Sequence, residues 1–161
     1  MLKGFDGDGL EQFSKILEPH IGEDNLPLRI AFKRMSRAGN CLLILDDDPM
    51  VLKQLEKVLM SFGNVVTMQN AGEFAEGYEQ YAPNILFLDV HLGSAKGNEI
   101  LKELKQNIDP HAHAVMISSD TQKDLILDIK EGGANGFVVK PFDRNKLYKE
   151  VMKAPTIITK G

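Results

Sequence analysis

A single cysteine, Cys41, is all the thiol chemistry in this 161-residue chain. An intramolecular disulfide framework is therefore excluded, and a reducing cytoplasm is the expected location. Cys41 opens an apolar run and reads as a small buried hydrophobe rather than a nucleophile. No apolar stretch approaches the ~20 residues that span a bilayer, and the leading MLKGFDGDG lacks a signal-peptide core, so no membrane contact is expected. Positive charge is short as well. The 19 Lys and Arg against 23 Asp and Glu leave a net charge of −4, with no basic face broad enough for nucleic acid. Internal repeats and low-complexity tracts are missing too. What remains is a normal globular composition, 43% hydrophobic and 26% charged, sufficient for one core and a modest extension.

From about residue 40 the chain alternates strand and helix. CLLIL (41–45), NILFLD (84–89), AVMIS (114–118) and GFVVK (136–140) are short continuous apolar runs, as in strands covered on both faces, and NVVTM (64–68) reads as a further short strand. Between them, Val51, Leu52, Leu55, Val58, Leu59 and Phe62 recur at helical spacing, with Gly63 as the stop. Phe74, Tyr78 and Tyr81 do the same ahead of Pro83, and Ile100, Leu101 and Leu104 follow Gly97. Leu125, Ile126 and Ile129 precede Gly132-Gly133. Asp143 is placed to cap a last helix through Leu147 and Val151, which Pro155 terminates. Strands separated by helices call for a parallel sheet with helices on both faces, because each parallel pair needs a crossover.

Residues 1–39 follow another pattern. Asp8 with Glu11 makes a capping pair, and Leu10, Phe13, Ile16 and Leu17 give a helix one apolar side before Pro19 and Gly22 break it. In LPLRIAFKRMSR (26–37), four basic residues occur without an acid. Leu26, Leu28, Ile30 and Phe32 suit a strand as well as Leu28, Ala31, Phe32 and Met35 suit a helix. A docking or dimerising arm, a linker and a helix packed on its own domain all fit.

The chemistry lies at the strand ends. In open parallel sheets ligands sit beyond the carboxyl ends of the strands. Asp46-Asp47, Asp89, Ser118 and Lys140 each close one of the runs. Neighbouring strand residues point to opposite faces, but the chain turns at the end of its strand, where both Asp46 and Asp47 can tip toward Asp89. Two carboxylates about 4 Å apart repel by roughly 4 kcal/mol at an effective dielectric of about 20, so the cluster must take up protons or a cation. An all-oxygen site suits Mg²⁺. Lys140 and Ser118 would contact phosphate oxygens, and an aspartate can accept a phosphoryl group as an acyl phosphate. His111 and His113 could face one way but lack a third metal ligand.

Residues 41–153 resemble a response regulator receiver domain of the chemotaxis-regulator type. The stretches that carry the likeness are LDDDP (45–49), FLDVHLG (87–93) with Gly97, ISSD (117–120) and GGANGFVVKPF (132–142). The resemblance implies an α/β fold, a doubly wound five-stranded parallel sheet of order 2-1-3-4-5 with helices on both faces, spanning 40–154 between an extension (1–39) and a tail (155–161). It implies that Asp89 takes phosphate from a histidine kinase or phosphotransfer protein. Mg²⁺ would be held by Asp46, Asp47, Asp89 and the backbone carbonyl of His91. Ser118, Lys140 and Phe137 would form the phosphate-binding and switch set, His91 and Asp120 would modulate the rate, and a cis bond would precede Pro141. Asp48 is expected to face solvent or cap the next helix. Gly93 stands where proline is frequent in the family, and Ser119 where alanine is common.

Output would pass through the fourth helix, fifth strand and fifth helix, a surface expected to include Leu125, Leu127, Lys130, Phe137, Tyr148 and Lys149. Its occupant would be a downstream protein or a second copy in a homodimer. With only about twenty residues after Lys140, no DNA-binding or enzymatic output unit is expected to follow, so output would pass to another protein, or this chain is a piece of a larger one. The chain would thus be a signalling receiver rather than an enzyme, acting only on its own phosphorylation and slow dephosphorylation. Two alternatives are a receiver-like binding module independent of phosphate and a Mg²⁺-dependent phosphatase with an aspartate nucleophile. The second lacks the threonine of an Asp-x-Asp-x-Thr motif, since Pro49 and Met50 follow Asp48.

Overall fold

Runs that are apolar at every position need cover on both sides, and the computed structural model, which describes residues 25–159, supplies it. The strands are β1 (Cys41–Leu45), β2 (Asn64–Met68), β3 (Ile85–Asp89), β4 (Ala114–Ser118) and β5 (Gly136–Val139). They form one parallel sheet of order β2-β1-β3-β4-β5, as expected. β1, β3 and β4 are buried along their whole length, whereas the edge strands β2 and β5 are partly open.

Side-chain alternation divides the core. Leu42, Ile44, Ile85, Phe87, Val115, Ile117 and Val138 join a cluster with Leu52 and Leu55 of α1 (Pro49–Leu59) and Leu147 and Val151 of α5 (Arg144–Lys153). On the other face, Leu43, Leu45, Leu86, Leu88 and Met116 meet α2 (Ala71–Tyr81), α3 (Gly97–Glu103) and α4 (Lys123–Glu131). The helix starts are chemically marked. Asp48 accepts from the Met50 amide at 2.9 Å, Asn70 from Glu73 at 2.9 Å and Asp143 from Lys146 at 2.7 Å. Asp48 is thus a helix cap. α3 continues into one π-helical turn, Leu104–Ile108, and a two-residue antiparallel ladder joins His91–Leu92 to Ala95–Lys96. Neither is long enough to leave a periodic signal in the sequence.

The undecided segment is a helix, Leu26–Ser36, capped by Asn25 and packed on the face that carries α2 and α3. Helical geometry places Ile30 and Arg34 one turn apart, and both are buried. Arg34 Nε donates to the Pro83 carbonyl at 2.8 Å, and its guanidinium pairs with Asp109. The same Asp109 oxygen accepts the Tyr78 hydroxyl at 2.6 Å. Arg37 donates to the carbonyls of Tyr81 and Ala82 and to Asn84 Oδ1, at 2.7, 3.0 and 2.8 Å. The basic residues of this segment thus engage the chain's own carbonyls and acids. The tail is tied down too: Ile157 is buried, and Asn84 donates to the Thr156 carbonyl at 2.9 Å. Asn40 exchanges bonds of 2.6 and 2.8 Å with the Ile158 backbone. The helix expected around Leu10–Leu17 lies outside the described residues, which include no helix long and apolar enough to cross a membrane.

Candidate functional site

Strand parity aims the polar residues. Asp46 continues the face of Leu42 and Ile44, Asp89 that of Ile85 and Phe87, and Lys140 that of Val138, so three polar side chains leave the sheet on the α1–α5 side of one edge. Asp46 is fully buried and Asp89 is 3% exposed, while Asp47 is open to solvent. One oxygen from each of the three lies within 4.8 Å of the others. Lys140 Nζ lies 2.9 Å from Asp46 Oδ2 and 3.4 Å from Asp89 Oδ1. The His91 amide approaches Asp89 Oδ1 at 3.4 Å. Ser118 is buried at the end of β4, and its Oγ accepts the Asp120 amide at 2.9 Å. Over the rim, His91 Nε2 stands 3.8 Å from Asp120 Oδ2. Phe137 packs half-buried against the core on the α2–α4 side, and the Lys140–Pro141 peptide is cis.

Burial, with the neighbouring Asp46 charge, lifts the Asp89 carboxyl from 3.8 to about 6, although Lys140 and the His91 amide pull it down. For Lys140, burial acts against the ammonium, but Asp46 and Asp89 outweigh it and hold the pKa above its ordinary value. Three carboxylates against one ammonium leave two unbalanced negative charges in a small space. Hard oxygen donors with that surplus fit Mg²⁺.

The loop after Asp89 is pinned by a close backbone approach. The Gly97 amide donates to the Val90 carbonyl at 2.7 Å, and a Cβ on Gly97 would collide with the Asp89 carbonyl oxygen. Gly97→Ala is therefore expected to cost about 1–3 kcal/mol in urea unfolding. Gly93, with φ of +64°, has nothing within 4 Å of an added Cβ. Alanine there should cost only its backbone strain, about 1–2 kcal/mol.

Tyr148 departs from expectation. Its ring meets Phe62, beyond the end of α1, edge-on at 5.2 Å, so it belongs to the α1–α5 side rather than to the surface shared with α4. Leu127 is 47% exposed and does lie open on α4. Among the described residues, Asp46, Asp47 and Asp89 are the one group of three or more His, Cys, Asp or Glu drawn to within metal-binding reach, and His111 and His113 form no such cluster. The Arg34–Asp109–Tyr78 network was not anticipated. The absence of any acid from 26–37 was the available signal, since a cation of this segment that is buried, as Arg34 is, must find its partner elsewhere in the chain.

The family profile of the response regulator receiver domain matches residues 42–152. The chain belongs to that family. It is 29% identical over 114 residues to the chemotaxis protein CheY of Bacillus subtilis, covering 70% of this chain and 94% of the relative. The N-terminal receiver of a two-component response regulator from Bacteroides fragilis superposes with a TM-score of 0.66 at 26% identity, over 73% of this chain and 97% of that one. A BeF3-activated receiver domain of DrrB, a Thermotoga maritima protein, gives 0.66 at 26% identity over 71% and 96%. The acidic pocket thus sits in a receiver of the two-component signalling class. The helix Leu26–Ser36 precedes the matched region.

Proposed function

We propose that this receiver accepts a phosphoryl group on Asp89 from a phosphohistidine of a histidine kinase or phosphotransfer protein. The observation that carries the proposal is the convergence of Asp46, Asp47 and Asp89 with Lys140 at one sheet edge. A carboxylate oxygen of Asp89 attacks phosphorus, the P–N bond breaks, and its electron pair stays on the donor imidazole, which takes up a proton. The attacking carboxylate must be ionised, and with its pKa at about 6 it is so at neutral pH. Lys140 lies within reach of Asp89 and pairs with a phosphoryl oxygen. Ser118 accepts the Asp120 amide, which leaves its own proton to donate to a second oxygen. Asp46, Asp47, Asp89 and the backbone carbonyl of His91 would hold Mg²⁺, which when bound neutralises charge on the transferring group.

The product adds negative charge beside Asp46, and the response is a shift between two existing arrangements of Ser118 and Phe137. That shift changes the α4–β5–α5 surface, where Leu125, Leu127, Lys130 and Lys149 meet a downstream protein or a second copy. The chain works in the cytoplasm, without direct contact to nucleic acid or membrane. A groove beside the pocket, with Val51, Val58 and Phe142 on its floor and Lys57 and Arg144 at its edge, is the surface for the phosphate donor.

Incubation with acetyl phosphate and Mg²⁺ tests the assignment by intact mass. The native chain should gain one phosphoryl group and Asp89→Asn none; labelling of the variant would remove Asp89 from the role. A second test concerns lifetime. His91 and Asp120 meet over the mouth of the pocket and restrict the hydrolytic water. His91→Ala should change the acyl-phosphate half-life several-fold, and equal decay rates would dismiss the pair as rate modulators.

A further inference from the structure

Burial secures α4 at a single residue. Ile129 is buried, Leu125, Ile126 and Asp128 are half-buried, and the rest of the helix is exposed. An element with so little apolar cover is among the parts of a domain that move at least cost. From the side, α4 is held by a polar cluster on α3. Asn98 Nδ2 donates to Asp128 Oδ2 at 2.5 Å, and Lys102 Nζ donates to Asp128 Oδ1 at 2.6 Å. Both carboxylate oxygens of Asp128 are thus engaged by α3. The Lys102 stem also runs past the end of α4, where a Cβ on Gly132 would stand 3.3 Å from Lys102 Cγ.

The same end of α3 touches the backbone of the phosphoacceptor. Asn98 follows Gly97, whose amide donates to the Val90 carbonyl at 2.7 Å and which lies too close to the Asp89 carbonyl for any side chain. A continuous set of contacts therefore runs from Asp89 through the start of α3 to Asp128, next to the exposed Leu127. We infer that Asn98, Lys102 and Asp128 form a latch that keeps α4 against α3 until phosphorylation of Asp89 opens it, a regulation that rests on Asp89 being the phosphoacceptor. All three are positioning residues, acting on Asp89 only through Gly97 and the loop before it.

Two features let the latch open. Asn98 Oδ1 is buried and accepts no hydrogen bond from the described residues, so the closed arrangement leaves a polar atom unsatisfied that water can reach once α4 moves. The side chains of Lys102 and Asp128 are 40% and 33% exposed, so parting them strands no charge in a dry interior. Exposed pairs of this kind add little to global stability. With Ile129 as its one buried residue, however, α4 has little else to fix its position. Linkage gives the direction of the effect. A contact made only in the resting position favours the state that binds a phosphoryl group less well, so its removal raises affinity for that group.

Titration of the full ¹⁵N-labelled chain with beryllofluoride and Mg²⁺ tests this, with amide exchange measured beforehand in the absence of both. Asp128→Ala should bind the phosphoryl mimic about three- to ten-fold more tightly than the native chain. It should also speed exchange from Leu125 to Ile129 while leaving the β4 amides unchanged. Lys102→Met should act in the same direction, and Lys102→Arg, which keeps the cation, should stay near the native affinity. Equal or weaker binding by Asp128→Ala would overturn the latch while leaving Asp89 as the acceptor. So would a Lys102→Arg chain that binds as Lys102→Met does, because the charge contact would then be irrelevant. A native chain that binds no beryllofluoride would instead overturn the phosphoacceptor reading, and the latch with it.

Discussion

At neutral pH without divalent cation, Asp89→Asn is expected to resist urea better than the native chain, by about 1–3 kcal/mol. The reason is the crowding that suits Asp89 to the proposed role. Its carboxyl titrates at about 6 in the folded protein against 3.8 ordinarily, so between those values the folded state holds a proton that the unfolded chain has released. Stability of the native chain therefore falls as pH rises through that window and levels off above it. Asparagine keeps an oxygen to accept from Lys140 and the His91 amide but has nothing to ionise, so the fall that Asp89 contributes should vanish from its profile. Mg²⁺ should stabilise the native chain at pH 7 and the variant much less, because binding to the folded form alone shifts unfolding by mass action. A variant no more stable than its parent would mean that the cluster is relaxed by solvent.

The larger loss is expected at the opposite edge of the sheet. Arg34→Ala should destabilise the protein by about 3–5 kcal/mol, because it leaves the buried Asp109 carboxylate with only the Tyr78 hydroxyl and strips a donor from the Pro83 carbonyl. Replacing both charges, as Arg34→Met with Asp109→Asn, should recover more than half of that, since an uncharged pair carries no stranded ion and the amide oxygen still accepts from Tyr78. Equilibrium unfolding of the two singles and the double gives the coupling directly. Additive losses would show that the Arg34–Asp109 pairing adds nothing of its own to the hold on the helix Leu26–Ser36. The expected coupling would make that helix a structural part of the receiver.

The sheet edge was legible because its signals are local. Apolar runs of four or five followed by Asp, Ser or Lys show both where the strands stop and which residues lie beyond them, and parity puts Asp46, Asp89 and Lys140 on one side. Parity also separates Asp46 from Asp47: the first is buried and the second exposed, although an oxygen of each still comes within reach of the other in the turn. What was hidden depends on partners far away in the chain. Whether 26–37 was strand or helix could not be settled from its own spacing, because the deciding contacts are to Pro83 and Asp109. Tyr148 was misassigned for the same reason, its partner Phe62 lying in a different turn. The ladder at His91–Lys96 is too brief for any periodicity.

Asn40 and Asn84, which hold Ile158 and Thr156, lie where β1 and β3 begin, while the acids lie where those strands end. A dye or surface anchor attached at Thr159 would therefore leave the acidic pocket bare. Immobilised this way, the protein would face the solution with its acidic edge pointing outward.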